Sequence, residues 1–179
     1  MTSEGEQHFT CSCWMKRDAQ GNITHVKIDD PSVKVIPKSA FSCWWGKYGN
    51  QDYSRLMNVE LCDGLEIIGE HAFDHCKSLV QIIIPSSVKV IGIFAFLGCS
   101  QLMNVELSEG LERIGMGAFS SCTSLECISI PSTIKVISYA FSRCKRLMNV
   151  ELREGLERIP MAFEECTSLS TSEYRPPSK

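Results

Sequence analysis

One hexapeptide, Leu-Met-Asn-Val-Glu-Leu, stands at residues 56–61, 102–107 and 147–152. Related units beginning at Leu79 and Leu125 fall between these copies. Unit starts are therefore 56, 79, 102, 125 and 147, with periods of 23, 23, 23 and 22 residues. A more degenerate unit precedes them, from Ile23 through Val26, Ile28, Val33 and Ile36 to Ala40, Phe41 and Cys43, and Leu169 occupies the next start after the last. A unit this short cannot bury its own apolar face. Stacked copies bury a continuous one, which makes the fold nearly one-dimensional. The repeat predicts a solenoid.

Written generically, each unit reads L-x-x-[VI]-x-[LI]-x-x-x-[VLI]-x-x-I-x-x-x-A-F-x-x-C-x-x. The units from Leu125 and Leu147 lack one residue before the Ala-Phe pair (Ile137 to Ala140, Ile159 to Ala162), a slip that belongs in a loop because it would reverse the facing of a strand. Apolar residues at positions 1, 4 and 6 include a stretch of alternation, the mark of a half-buried strand. Pro85 and Pro131 at position 7 suit a strand end. A second apolar pair follows at positions 10 and 13, and Ala-Phe-x-x-Cys is expected to return the chain through a helical or 3₁₀ turn. Phe41, Phe73, Phe96, Phe119, Phe141 and Phe163 then form an aromatic spine. At a strand spacing of ~4.8 Å, about six coils make an arc some ~25–30 Å long.

Composition narrows the function. The chain has 179 residues with 44% hydrophobic and 22% charged, and its net charge of -3 gives no bulk attraction to nucleic acid or anionic lipid. No run approaches the ~18 apolar residues of a membrane-spanning helix. The acidic, polar stretch from Met1 to Gln7 is unlike a secretory signal, so a cytoplasmic setting is expected.

Of ten cysteines, Cys43, Cys76, Cys99, Cys122, Cys144 and Cys166 share one place in the unit. Ladder side chains run parallel and not toward one another, so these are expected to be reduced, structural thiols. Cys11, Cys13, Cys62 and Cys127 lie outside the ladder. Cys11-Ser12-Cys13 lacks a second pair at metal-finger spacing, and His71 with His75 beside Cys76 is repeated in no other unit. Gly115-Met116-Gly117 begins like a dinucleotide loop, but Ser120 stands where its third glycine belongs. No metal, cofactor or catalytic residue is expected.

The pattern resembles the BspA-like (Treponema-type) leucine-rich repeats, whose units run L-x-x-I-x-I-P, then V-x-x-I-G, then A-F-x-x-C. Here Leu79 to Pro85, Val88 to Gly92 and Ala95 to Cys99 match in that order. The likeness covers about Ile23 to Leu169. It implies a leucine-rich-repeat solenoid, a right-handed arc with one β-strand and a short helical or 3₁₀ return per coil, that serves as a recognition scaffold with no shared catalytic site.

Position 11 reads Lys34, Glu66, Lys89, Glu112, Lys135 and Glu157 in successive units, a row of alternating sign once the units stack. On the strand, positions 2, 3 and 5 face out. Position 3 gives Asn58, Gln81, Asn104, Cys127 and Asn149; position 5 gives Glu60, Ile83, Glu106, Ser129 and Glu151; position 2 adds Met57, Val80, Met103, Glu126 and Met148. Amides flanked by carboxylates favour a basic protein segment, and methionines tolerate varied apolar partners.

An aromatic insertion at 44–55 interrupts the repeat and carries Trp44, Trp45, Tyr48 and Tyr53. It reads equally as a binding loop or as a seal over the first coil. Residues 1–22 are expected to cap the N-terminal end and 170–179 to form a disordered tail, leaving the C-terminal end open to weak homo-oligomer formation. The expected function is protein binding without catalysis. Self-association as an adhesive module and glycan binding are the alternatives.

Overall fold

The computed structural model describes residues 13–43 and 53–170. The described strands are β1 (Cys13–Arg17), β2 (Ile23–Ile28), β3 (Val35–Ile36), β4 (Asn58–Glu60), β5 (Ile67–Ile68), β6 (Gln81–Ile83), β7 (Val90–Ile91), β8 (Asn104–Glu106), β9 (Arg113–Ile114), β10 (Cys127–Ile130) and β11 (Asn149–Leu152). They form a sheet of order β1-β2-β4-β6-β8, a second of order β3-β5-β7-β9, and the pair β10-β11. Every coil-to-coil pairing is parallel and one repeat in register: Asn58 lies opposite Gln81, and Gln81 opposite Asn104. β1 instead runs antiparallel along the outer edge of β2.

The alternation in the unit decides what is buried. Leu56, Leu79, Leu102, Leu125 and Leu147 at position 1 are wholly inside, as are Leu65, Val88, Leu111 and Ile134 at position 10. Each coil therefore presents two walls of apolar residues to one interior, and the second wall carries its own sheet. That sheet is built of two-residue strands whose outward residue is Val35, Ile67, Val90 or Arg113.

The third side is the return segment, and here the expected helical turn is not what forms. It is a chain of tight turns in which two residues per coil adopt left-handed backbone, such as His71 (φ 54°) with His75 (φ 57°), or Tyr139 (φ 52°) with Arg143 (φ 61°). Left-handed residues cannot propagate an α-helix. The strain is held by bonds between coils. The Phe73 amide donates to the Ala95 carbonyl (2.7 Å), Phe96 to Ala118 (2.7 Å) and Phe119 to Ala140 (2.8 Å).

Inside this turn ladder the phenylalanines stack as expected. Ring centroids from Phe41 to Phe73, Phe96, Phe119, Phe141 and Phe163 are 5.1, 5.1, 5.0, 5.4 and 5.7 Å apart, with planes within 12° of parallel. The ladder thiols donate to the phenylalanine carbonyl of the coil before: Cys76 to Phe41 (3.1 Å), Cys99 to Phe73 (3.2 Å), Cys122 to Phe96 (3.3 Å). All described cysteines are free. Burial pushes the Cys76 and Cys99 thiols well up and that of Cys122 up to about 12.

One step of the stack is different. Gly69, Gly92 and Gly115 share position 14, and a Cβ there would fall 2.5–2.6 Å from the backbone of the preceding coil. Their φ angles are not left-handed; the need for glycine is close approach alone. In the coil from Leu125 the residue missing before the Ala-Phe pair falls here: the Gly117 amide donates to the Ser138 carbonyl as the Phe94 amide does to that of Met116, so Ser138 stands one place on and no glycine is present. Among the described residues no pairing then joins β8 to β10 or β9 to the following coil, although the turn ladder and ring stack continue. The two sheets part where the glycine row ends.

The charged row stacks as its spacing predicts, but lysine meets backbone more than glutamate. Lys34 reaches Glu66 at 3.7 Å. Lys34, Lys89 and Lys135 also donate to the carbonyls of Gly64 (3.2 Å), Gly110 (3.4 Å) and Gly155 (3.3 Å) in the next coil. Each lysine clamps a turn of its neighbour. Among the described residues no helix is long and apolar enough to cross a membrane.

Candidate functional site

The strand face carried by β4, β6, β8, β10 and β11 brings the sequence-derived candidates together. With position 4 anchored inward, the pleat turns positions 3 and 5 to solvent, and position 2, just ahead of each strand, is exposed at Met57, Met103 and Met148. Glu60, Asn104, Glu106, Asn149 and Glu151 are exposed, and Asn58 is half-buried beside His25 on β2. Met57, Met103 and Met148 are 48%, 41% and 44% exposed, a large apolar allotment for one surface. The coils between supply Gln81 and Ile83, then Cys127 and Ser129.

Electrostatically the face is acidic and only partly neutralised. Glu60 pairs with Lys27 at 3.6 Å, and Glu126 with Arg146. Among the described residues no cation lies within ion-pair distance of Glu106 or Glu151. A shallow depression of about 250 Å³ opens between β6 and β8, bordered by Ile83, Glu106 and Cys127. It lies over the paired strands β6 and β8, with Cys127 of β10 at its edge. At the far rim the Ser132 hydroxyl holds the Glu109 carboxyl below the usual range, and Arg153 pairs with it at 2.6 Å.

Tyr53 does not belong to this face. It is 8% exposed, and its ring stands edge-on to Phe41 at 5.2 Å and 81°, so it closes the aromatic stack from the side of the first coil. A partner cannot reach it there. Trp44, Trp45 and Tyr48 lie outside the described residues, as do Cys11 and the segment 171–179.

His71 and His75 do not face a metal position. Both turn their Nδ1–H groups onto the buried carboxylate of Asp74, His71 at 2.9 Å. Among the described residues no group of three or more ligating side chains is placed to hold a metal ion. The aspartate went unnoticed in the sequence because nothing in its spacing marks burial. The only available signal was two histidines spaced so as to flank it.

Comparison with known proteins places this geometry. The family model described as BspA type leucine rich repeat region matches residues 46–170 in six copies. The crystal structure of the Treponema pallidum leucine rich repeat protein superposes with a TM-score of 0.69 at 22% identity, covering 90% of this chain and 89% of that one. A leucine rich cell surface protein from Faecalibacterium prausnitzii gives 0.67 at 24% identity, covering 95% of this chain and 55% of that one. A leucine-rich repeat protein from Bacteroides ovatus gives 0.55 at 28%, covering 77% and 39%. No curated protein matches. With the family model spanning most of its length and the stacked Ala-Phe-x-x-Cys coils accounting for its interior, this chain belongs to the BspA-type leucine-rich repeat family.

Proposed function

We propose that the protein is an interaction scaffold that binds a protein partner on the strand face and performs no chemistry of its own. The observation that carries this reading is the registered row of Asn58, Glu60, Asn104, Glu106, Asn149 and Glu151, with Met57, Met103 and Met148 alongside, on a face whose reverse side is wholly committed to the core. Solenoids use such extended surfaces for recognition. Carboxylates without cationic neighbours favour a partner with a basic segment. The free thiol ladder suits a reducing compartment, in keeping with a cytoplasmic setting.

The test is capture from cell extract with photo-crosslinking at position 103, comparing the native chain with the charge reversal Glu60→Lys, Glu106→Lys, Glu151→Lys. A crosslinked partner lost on reversal supports the reading. A crosslink indifferent to reversal refutes the acidic face as its basis.

A second reading, weak self-association through the C-terminal end, is favoured by the outer edge of β11, which has no strand partner among the described residues. Sedimentation showing a strict monomer at high concentration would reject it.

A further inference from the structure

We propose that Cys43 and Cys76 are an oxidisable thiol pair, which hydrogen peroxide closes to a disulfide across the first step of the stack. The inference is independent of the strand face and rests on how the thiol ladder ends.

Place in the ladder decides what each sulfur can bond. Cys76, Cys99, Cys122, Cys144 and Cys166 each donate to the phenylalanine carbonyl of the coil before, at 3.1–3.3 Å. Among the described residues no coil precedes that of Cys43, so its thiol has no such acceptor. It turns instead to the Phe41 carbonyl of its own coil at 3.7 Å, an oxygen that already accepts from Cys76. The shared acceptor leaves the two sulfurs 3.5 Å apart.

The backbone suits closure. The Cys43 amide donates to the Asp74 carbonyl at 2.8 Å, which locks the two turns side by side. The rings of Phe41 and Phe73 measure the spacing of these coils at 5.1 Å. A disulfide spans ~4.4–6.8 Å between Cα atoms and needs its sulfurs at ~2.05 Å. Rotation of the Cys43 side chain closes that distance at the cost of one long bond. At the far end Cys166 is also half-buried, and the Cys144 thiol beside it holds its own below the usual thiol range. There, however, both sulfurs keep bonds of 3.1–3.2 Å to the coil before, so closure breaks two short bonds against one at the first step.

Exposure divides the roles. Cys43 is half-buried, within reach of a small oxidant, whereas Cys76 is wholly buried and burial keeps its thiol protonated. The Cys43 thiolate attacks one oxygen of peroxide. The O–O bond breaks, the sulfur becomes a sulfenic acid, and the departing hydroxide takes up a proton to give water. The Cys76 sulfur then attacks the Cys43 sulfur, the S–O bond breaks, and the second hydroxide leaves with the Cys76 proton as water. Two thiols have lost two electrons and peroxide has gained them. A dithiol reductant reverses the change.

The experiment treats the full, reduced, folded chain with hydrogen peroxide, blocks the remaining thiols with N-ethylmaleimide and maps peptides by mass spectrometry. The expected product is a linked peptide pair two hydrogens lighter than its parts, separated by dithiothreitol, with fragmentation placing the bond at Cys76 and not at Cys62. Cys43→Ser, a change at the half-buried sulfur, should abolish the link. Cys76→Ser should strand Cys43 as a sulfenic acid that dimedone traps. Treatment that leaves Cys43 and Cys76 unlinked in the native chain overturns the proposal, whether Cys43 stays a thiol or passes on to sulfinic acid. A bond between Cys144 and Cys166 in its place overturns it as well.

Discussion

Gly92 to alanine is the smallest change that asks whether the coils are held as close as the sheets require. A Cβ at Gly92 would lie 2.6 Å from the backbone nitrogen of Glu70 and the carbonyl carbon of Gly69. Both are main-chain atoms, so no rotamer change relieves the contact, and the third coil must lift from the second. The bonds that hold this step are Gly92 N–H to Ile68 O (2.8 Å), Lys89 N–H to Glu66 O (2.8 Å) and Val90 N–H to Glu66 O (3.2 Å). Weakening two or three of them costs about 1 kcal/mol each. Overpacking adds ~1–3 kcal/mol, for a total of ~3–6 kcal/mol. Ser138→Ala is the control, because it makes a small change in the shortened coil, where no glycine holds this step; it should stay within ~0.5 kcal/mol. Urea unfolding followed by circular dichroism reads both. A Gly92→Ala loss below about 1 kcal/mol, or an equal loss for Ser138→Ala, would refute close approach as the reason for glycine.

Further outcomes follow from the interior and the face. Phe96→Ala removes a wholly buried ring stacked at 5.1 and 5.0 Å on its two neighbours, and should cost ~3–5 kcal/mol in the same assay. The Cys122 thiol stays protonated to about 12 in the fold. In the unfolded chain it ionises near ~8.5, so between those values the unfolded state binds fewer protons and stability falls as pH rises. Cys122→Ser should leave stability near neutral pH within ~1–2 kcal/mol and flatten the alkaline slope by about one proton; an unchanged slope would show that this thiol does not titrate as described. Charge reversal at Glu60, Glu106 and Glu151, all exposed, should abolish partner capture while leaving the unfolding midpoint nearly unmoved.

The sequence made the stack legible because the same residue types recur at the same place. Six phenylalanines at one position can become neighbours only if the units pile up, and they do. The strand face was equally readable, since Val59, Ile82 and Val105 alternate with residues that must then point out. The second sheet was not. A two-residue strand such as Ile67–Ile68 has no alternation to detect, and its exposed member is as apolar as its buried one. The return turn was misjudged as helical because left-handed backbone falls on His71, Phe94 and Tyr139, which carry no glycine signal. Bonds from the adjoining coil, such as His71 N–H to Ile93 O (3.0 Å), impose it. Tyr53 read equally as a binding aromatic or a seal, because nothing local distinguishes a ring that binds a partner from one that closes over a neighbour. The gap between β8 and β10 was not legible either, because Cys127 to Ile130 keep the strand pattern of the other units.

The most direct measurement of the stacked interior is nuclear Overhauser contact between rings in a sample labelled only at phenylalanine. Cross-peaks are expected between Phe73 and Phe96 and between Phe96 and Phe119, whose centroids are 5.1 and 5.0 Å apart, with none between Phe73 and Phe119. Absence of the two neighbour contacts, or a direct contact between Phe73 and Phe119, would contradict a solenoid built one coil upon the next.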